Sequence, residues 1–210
     1  MSLIRVREHV NPLALKYQQP TEIPHWESVY ADLSRPLHLD IGCAKGRFLQ
    51  KMAQTDPSWN YLGLEIRSPL VVHANEWRDE QGLKNLHFLA CNANKTLRPL
   101  LQSLVPGQLQ RVTIQFPDPW FKKKHHKRRV VQPPLVQDLA DFMAPGTEVF
   151  IQSDVLEVAE EMRDRFGNHP AFQLQSIDWL DTNPMLVPTE RELATLRDGD
   201  PVYRLLLKHR

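Results

Sequence analysis

The chain has 210 residues, 41% hydrophobic and 24% charged, an ordinary composition for a soluble globular protein that needs no covalent staples. Its 26 Lys+Arg against 25 Asp+Glu leave a net charge of +1, which taken alone argues against a general nucleic-acid binder. Two cysteines without a C-x-x-C exclude a disulfide framework and a zinc ribbon, and no apolar run suits a signal peptide or a membrane span, so a cytoplasmic setting is expected.

Residues 1–35 carry Pro12, Pro20 and Pro24 with little periodicity and read as a partly irregular N-terminal arm, with a short helix over 26–33. From 36 to 210 a single domain is predicted. Strands are expected over 37–41, 61–66, 86–90, 111–116 and 148–152, each followed by a helix: 47–54, 69–81, 96–104, 133–143 and 155–166. Proline opens the second of these helices and glycine follows it, the usual asymmetry of helix ends. Two later apolar stretches, 172–176 and 202–208, complete a seven-stranded sheet. Strands alternating with helices imply a mostly parallel α/β sheet covered on both faces. Ligands of such sheets bind beyond the carboxyl ends of the strands.

The first of those ends reads Asp40-Ile41-Gly42-Cys43-Ala44-Lys45-Gly46. Small residues let backbone N–H groups approach a ligand. The second strand ends at Glu65, 25 residues after Asp40, where an acid can accept both hydroxyls of an adenosine ribose. Ala44 and Arg47 stand where a dinucleotide fingerprint needs glycines, and no Walker A motif is present, which disfavours a nicotinamide-dependent dehydrogenase. An acid before the loop suits a cationic ligand better than a pyrophosphate, a pattern that resembles S-adenosylmethionine-dependent methyltransferases. The third strand ends in Cys91-Asn92, and Asn92 is placed to meet the edge of an adenine.

The fourth strand runs into Phe116-Pro117-Asp118-Pro119-Trp120-Phe121, then Lys122 to Arg129. Two prolines stiffen the loop around one carboxylate. Trp120 offers a face for stacking on a base. The eight residues from 122 hold six Lys/Arg and no acid, which leaves 20 basic against 25 acidic residues elsewhere. The near-neutral total therefore hides a basic patch on a mildly acidic body. Farther on, Asp154 with Glu157, and Thr189 with Glu192, have the spacing of helix capping boxes.

Phe-Pro-Asp-Pro-Trp followed by Lys, His and Lys-Arg-Arg resembles the signature of the bacterial tRNA (guanine-46-N7)-methyltransferases. The likeness extends from about Leu37 through Leu62-Gly63-Leu64-Glu65-Ile66, Ser153-Asp154 and Thr189-Glu190-Arg191-Glu192 to the tail around Gly199-Asp200-Pro201. It implies a Rossmann-like class I methyltransferase fold and S-adenosylmethionine as cofactor, contacted by Asp40, Gly42, Gly46, Glu65, Asn92 and Asp118. Its substrate contacts fall on Lys122, Asp154, Thr189, Glu190, Arg191 and Glu192, and its tRNA-contacting stretch on Lys124, His125, His126, Lys127, Arg128 and Arg129. The chain departs from the pattern at Asp40, commonly Glu, at Cys43-Ala44-Lys45, where glycines are usual, and at Asn92, which is Asp in some members.

The chemistry so implied needs no general base, because guanine N7 already presents a lone pair. In-line methyl transfer would rest on alignment and on a carboxylate, Asp118, near the developing charge. The target guanine must lie outside a regular A-form helix, whose major groove is too deep and narrow for access, and the tRNA variable loop meets that requirement. Neither cysteine is expected to react, and His125 and His126 lack a third ligand for a metal. Two other readings fit the same fold: methylation of an exocyclic amino group, and a non-catalytic RNA-binding protein. No membrane or obligate protein partner is signalled, and the composition fits either a monomer or a homodimer.

Overall fold

A computed structural model describes residues 10–210. The central strand, β1 (Leu37–Ile41), is buried along its whole length, as a strand covered on both faces must be. Around it lie β2 (Asn60–Glu65), β3 (Leu86–Ala90), β4 (Leu109–Gln115), β5 (Glu148–Ser153), β6 (Phe172–Leu174) and β7 (Tyr203–His209). They form one sheet in the order β3-β2-β1-β4-β5-β7-β6. The first five pair in parallel, while β7 is antiparallel to both β5 and β6. The sheet therefore matches the mostly parallel, seven-stranded expectation.

The helices are α1 (Trp26–Val29), α2 (Arg47–Thr55), α3 (Ser68–Glu80), α4 (Ala93–Ser103), α5 (Pro133–Phe142), α6 (Leu156–Gly167) and α7 (Glu190–Arg197). The alternation of strand side chains splits the core in two. Leu62 and Leu64 face a cluster with Leu97, Leu135 and Val158 from α4, α5 and α6. Tyr61 and Phe88 face the other cluster, with Phe48 and Val71 from α2 and α3.

Three boundaries differ from expectation for local reasons. α1 stops at Val29, because Tyr30 turns extended to stack on Trp26, with centroids 5.9 Å apart, and donates its hydroxyl to Tyr61 O at 3.0 Å. α4 starts three residues earlier than predicted, since Asn92 Oδ1 accepts the Asn94 amide and caps it. The expected capping box at Asp154 does not form: Val155 is the N-cap and Ser153 Oγ accepts its amide at 3.1 Å. Thr189 does cap α7, accepting the Glu192 amide at 3.0 Å.

Candidate active site

The strand order reverses between β1 and β4, and a cavity of about 730 Å³ opens over their carboxyl ends. That is the size and place of a ligand site in this sheet architecture. Asp40, Gly42, Ala44, Glu65, Asn92 and Asp118 all line it, as do Asp154, Thr189, Glu190 and Arg191. Residues spread over 150 positions of sequence thus meet at one edge.

The backbone is strained there. Among the described residues the three non-glycine residues at positive φ are Ala44 (50°), Phe116 (48°) and Trp120 (44°), and all three line the cavity. Each such conformation costs on the order of 1–3 kcal/mol and persists where function requires it. Ala44 uses its turn to point its amide at Glu65 Oε2, 3.0 Å away. Phe116 and Trp120 bracket Pro117-Asp118-Pro119, so the Asp118 carboxylate sits between two left-handed residues as well as two prolines.

Asp40 is deeply buried, and Thr113 Oγ1 donates to its Oδ1 at 2.6 Å. Burial pushes this carboxyl up to about 6, against the pull of the Thr113 and Gln115 hydrogen bonds and with a further push from Glu65. His38 lies beneath, 3.1 Å from Thr113 Oγ1, and burial lowers its ring to about 3, so it is neutral. With Thr113 donating to Asp40, His38 Nε2–H is the donor to Thr113.

Glu65 accepts the Arg67 amide at 2.9 Å and the Arg67 guanidinium through both carboxylate oxygens, at 2.9 and 3.0 Å. Arg67 also lines the cavity and feels the charge of Asp118. Both thiols are held protonated by burial, Cys91 at about 12 and Cys43 well above its usual value. In that state they are poor nucleophiles.

A buried polar chain runs sideways from Asp40. Gln115 Nε2 is 3.4 Å from Asp40 Oδ1, Gln152 Nε2 donates to Gln115 Oε1 at 2.8 Å and also to Glu192 Oε2 at 3.2 Å. Glu192 in turn accepts Asn183 Nδ2 at 2.6 Å and pairs with Arg204 at 2.9 Å.

Three of the predicted contacts, Glu192, Gly46 and Lys122, are not on the cavity wall. Glu192 is 2% exposed and lies under the cavity, bound to Arg204 across to β7. Gly46 is not on the wall; its place is fixed by packing, since a Cβ there would come within 2.4 Å of the Phe88 ring. Lys122 precedes a 3-10 turn, Lys123–Arg128, and stands outside the cavity. Asp154 pairs with Arg191, Nε to Oδ2 at 2.9 Å, and Glu190 pairs with Arg47 at 2.5 Å, forming the cavity rim.

The basic run does not act as one surface. Lys124 and Lys127 are exposed, but Arg129 turns inward at 4% exposure, bound to Glu157, Glu161 and Pro119 O. His126 sits 3.4 Å from Glu157. Arg128 lies over the Trp120 ring at 4.9 Å, and His125 meets that ring edge-on, so Trp120 is packed among side chains of the run itself. Arg129 and Arg128 therefore brace the Asp118 loop.

Arg67, Thr113, Gln115, Gln152 and Arg204 escaped the sequence reading. A signal existed for two of them: Arg111, Thr113 and Gln115 are polar at alternate positions of β4, which places them on one face.

The profile of a family described as putative methyltransferase matches residues 34–205. A tRNA (guanine-N(7)-)-methyltransferase of Trichormus variabilis is 59% identical over 209 residues, 99% of this chain and 97% of that one. One from Synechococcus elongatus is 60% identical over 206 residues, 98% of this chain and 97% of that one. Among solved structures, the fold is similar to a SAM-dependent methyltransferase from Aquifex aeolicus, with a TM-score of 0.56 at 12% identity, covering 88% of this chain and 89% of that one. It is likewise similar to the 16S rRNA methyltransferase KamB, with a TM-score of 0.57 at 18% identity, covering 88% and 90%.

Proposed function

Because the chain belongs to the tRNA (guanine-N7-)-methyltransferase family, we propose that it methylates N7 of guanine 46 in the tRNA variable loop from S-adenosylmethionine. The observation that carries the reading is the strained Asp118 loop facing Asp40 and Glu65 across one cavity. Incubating the protein with an unmodified tRNA transcript and labelled S-adenosylmethionine should yield 7-methylguanosine, identified by mass. A transcript with adenine at position 46 should yield none. A methyl group on an exocyclic amine, or at another position, overturns the assignment.

The residues present fit a cationic nucleoside cofactor. Two carboxylates, a small-residue loop and apolar Leu70 and Phe116 line the cavity, and the group itself supplies an electrophilic methyl. Asp40 offers the sulfonium side a negative charge, Glu65 orients the ribose side, and the Gly42-to-Ala44 backbone allows close approach. Asp118 serves the guanine, either accepting from its N1–H and 2-amino group or facing the charge that develops on the ring. No residue is asked to take a proton, which suits a cavity with two protonated thiols and, among the described residues, no histidine on its wall. Among the described residues no helix is long and apolar enough to cross a membrane, and a tRNA substrate supports a cytoplasmic setting.

Cofactor affinity should depend on Asp40. Its carboxyl keeps its proton below about 6, and only the ionised form attracts a cation. In folding, the raised value means that ionising Asp40 costs stability as pH rises from 3.8 through about 6; a bound cation offsets that cost. Calorimetric affinity for S-adenosylmethionine should therefore rise with pH through about 6 and level off above it. Asp40→Asn should bind about tenfold more weakly and lose the step. A step that survives the substitution assigns it to another group.

The basic run makes a separable prediction. Replacing Lys124 and Lys127 by Ala should reduce the slope of log affinity for tRNA against log salt by about 0.7–0.9 per residue. Arg129→Ala should instead lower stability. An unchanged slope in the lysine variant means that the exposed run faces away from RNA.

A further inference from the structure

α4 runs from Ala93 at the cavity to Ser103 at its far end, and the N-terminal arm is fastened along it at three levels. Trp26 Nε1 donates to Ser103 Oγ at 2.9 Å. The Thr21 amide donates to Thr96 Oγ1 at 3.1 Å, and Thr21 Oγ1 donates to Ala90 O at 3.0 Å. Asn92 Nδ2 donates to Pro12 O at 3.1 Å and to Tyr17 O at 3.0 Å. At about 1.5 Å per residue the arm so follows roughly 16 Å of helix, and it delivers Val10 and Pro12 to the cavity wall.

Both donors of Asn92 are engaged by this arrangement. Its oxygen caps Asn94, and its two N–H groups are spent on two arm carbonyls. A primary amide has two donors, so none remains to donate to a base. We propose that Val10 and Pro12, held by the segment 10–17, form one wall of the cofactor site beside the third-strand loop, against which the base of a purine nucleoside packs. Asn92 is then the positioning residue that latches this wall through both of its N–H groups. The inference rests on the S-adenosylmethionine reading of the cavity.

The latch matters because little else holds the segment. No side chain from 11 to 20 is buried, and within it Gln18 Nε2 only bonds back to Pro12 O at 2.7 Å. A segment with so few buried contacts opens at low cost. Val10 and Pro12 supply an apolar face, which keeps water off a flat base, and one amide decides whether that face is in place.

Asn92→Asp separates the two roles. It keeps an oxygen to cap Asn94 and to accept from an exocyclic amine, but has no N–H for Pro12 O and Tyr17 O. In the full-length protein without ligand, trypsin should cleave after Lys16 about tenfold faster in the variant than in the wild type. The variant should also bind S-adenosylhomocysteine about tenfold more weakly by calorimetry, and the ligand should slow cleavage after Lys16 in the wild type. Equal cleavage of the two proteins overturns the latch. Faster cleavage with unchanged affinity overturns the wall. Failure of the wild type to bind S-adenosylhomocysteine overturns the cofactor reading and this inference together, whereas binding by both proteins with equal affinity overturns this one alone.

Discussion

Asp118→Ala should lower the rate of methyl transfer to tRNA by about 10²–10³ and leave the melting temperature close to wild type. The size follows from the loop. A carboxylate between two prolines, flanked by Phe116 and Trp120 at positive φ, arrives already aimed, and such groups act without reorganising during the reaction. The fold should tolerate the change because Asp118 is only half-buried and its backbone is set by its neighbours. Asp118→Asn divides the two tasks left open for this residue. An amide still accepts from N1–H but carries no charge, so a mild loss favours base orientation and a loss as large as that of Ala favours charge stabilisation. Near wild-type turnover in Asp118→Ala would remove the residue from the reaction.

The second large effect concerns stability. Glu192→Ala leaves the Arg204 guanidinium, 5% exposed, without its carboxylate and takes an acceptor from Asn183 and Gln152. Removing one partner of a buried pair costs about 3–5 kcal/mol. For a chain of this size that is a fall of roughly 6–20 °C in melting temperature. The double variant Glu192→Leu with Arg204→Leu discards both charges and should recover most of the fall, since apolar replacement of a whole buried pair is often near neutral. Calorimetric scans of the three proteins test this. A shift below about 2 °C in Glu192→Ala would mean that the pair carries little weight.

The sheet was legible because its strands are apolar runs closed by glycine, proline or an acid, and that pattern survives without any knowledge of partners. So were the cavity acids, because each ends a strand or sits between prolines. Long-range pairing was not legible. Lys122 to Arg129 reads as one uniform charge run, yet Arg129 is distinguished by Glu157 and Glu161, about 30 positions away on α6. Glu192 has capping spacing but is claimed by Arg204 on β7. Asp154 looks like a cap and is taken by Arg191. In each case the partner is brought by the fold from far along the chain. The arm carried no readable motif because its hold on the body runs through backbone carbonyls, which every residue has.

The chain of side chains from Asp40 to Arg204 also bears on biosynthesis. Asp40, Glu65 and Asp118 precede β7 in the chain, and β1, β2 and β4, which carry them or lead into their loop, are neighbours that do not touch β7. Arg204 arrives 164 positions after Asp40, and only then does Glu192 gain the charge that lets it stay buried beneath the cavity floor. A nascent chain halted short of β7 owns the acids but lacks the cation that balances buried Glu192, so the last strand to leave the ribosome closes the buried polar chain that reaches Asp40.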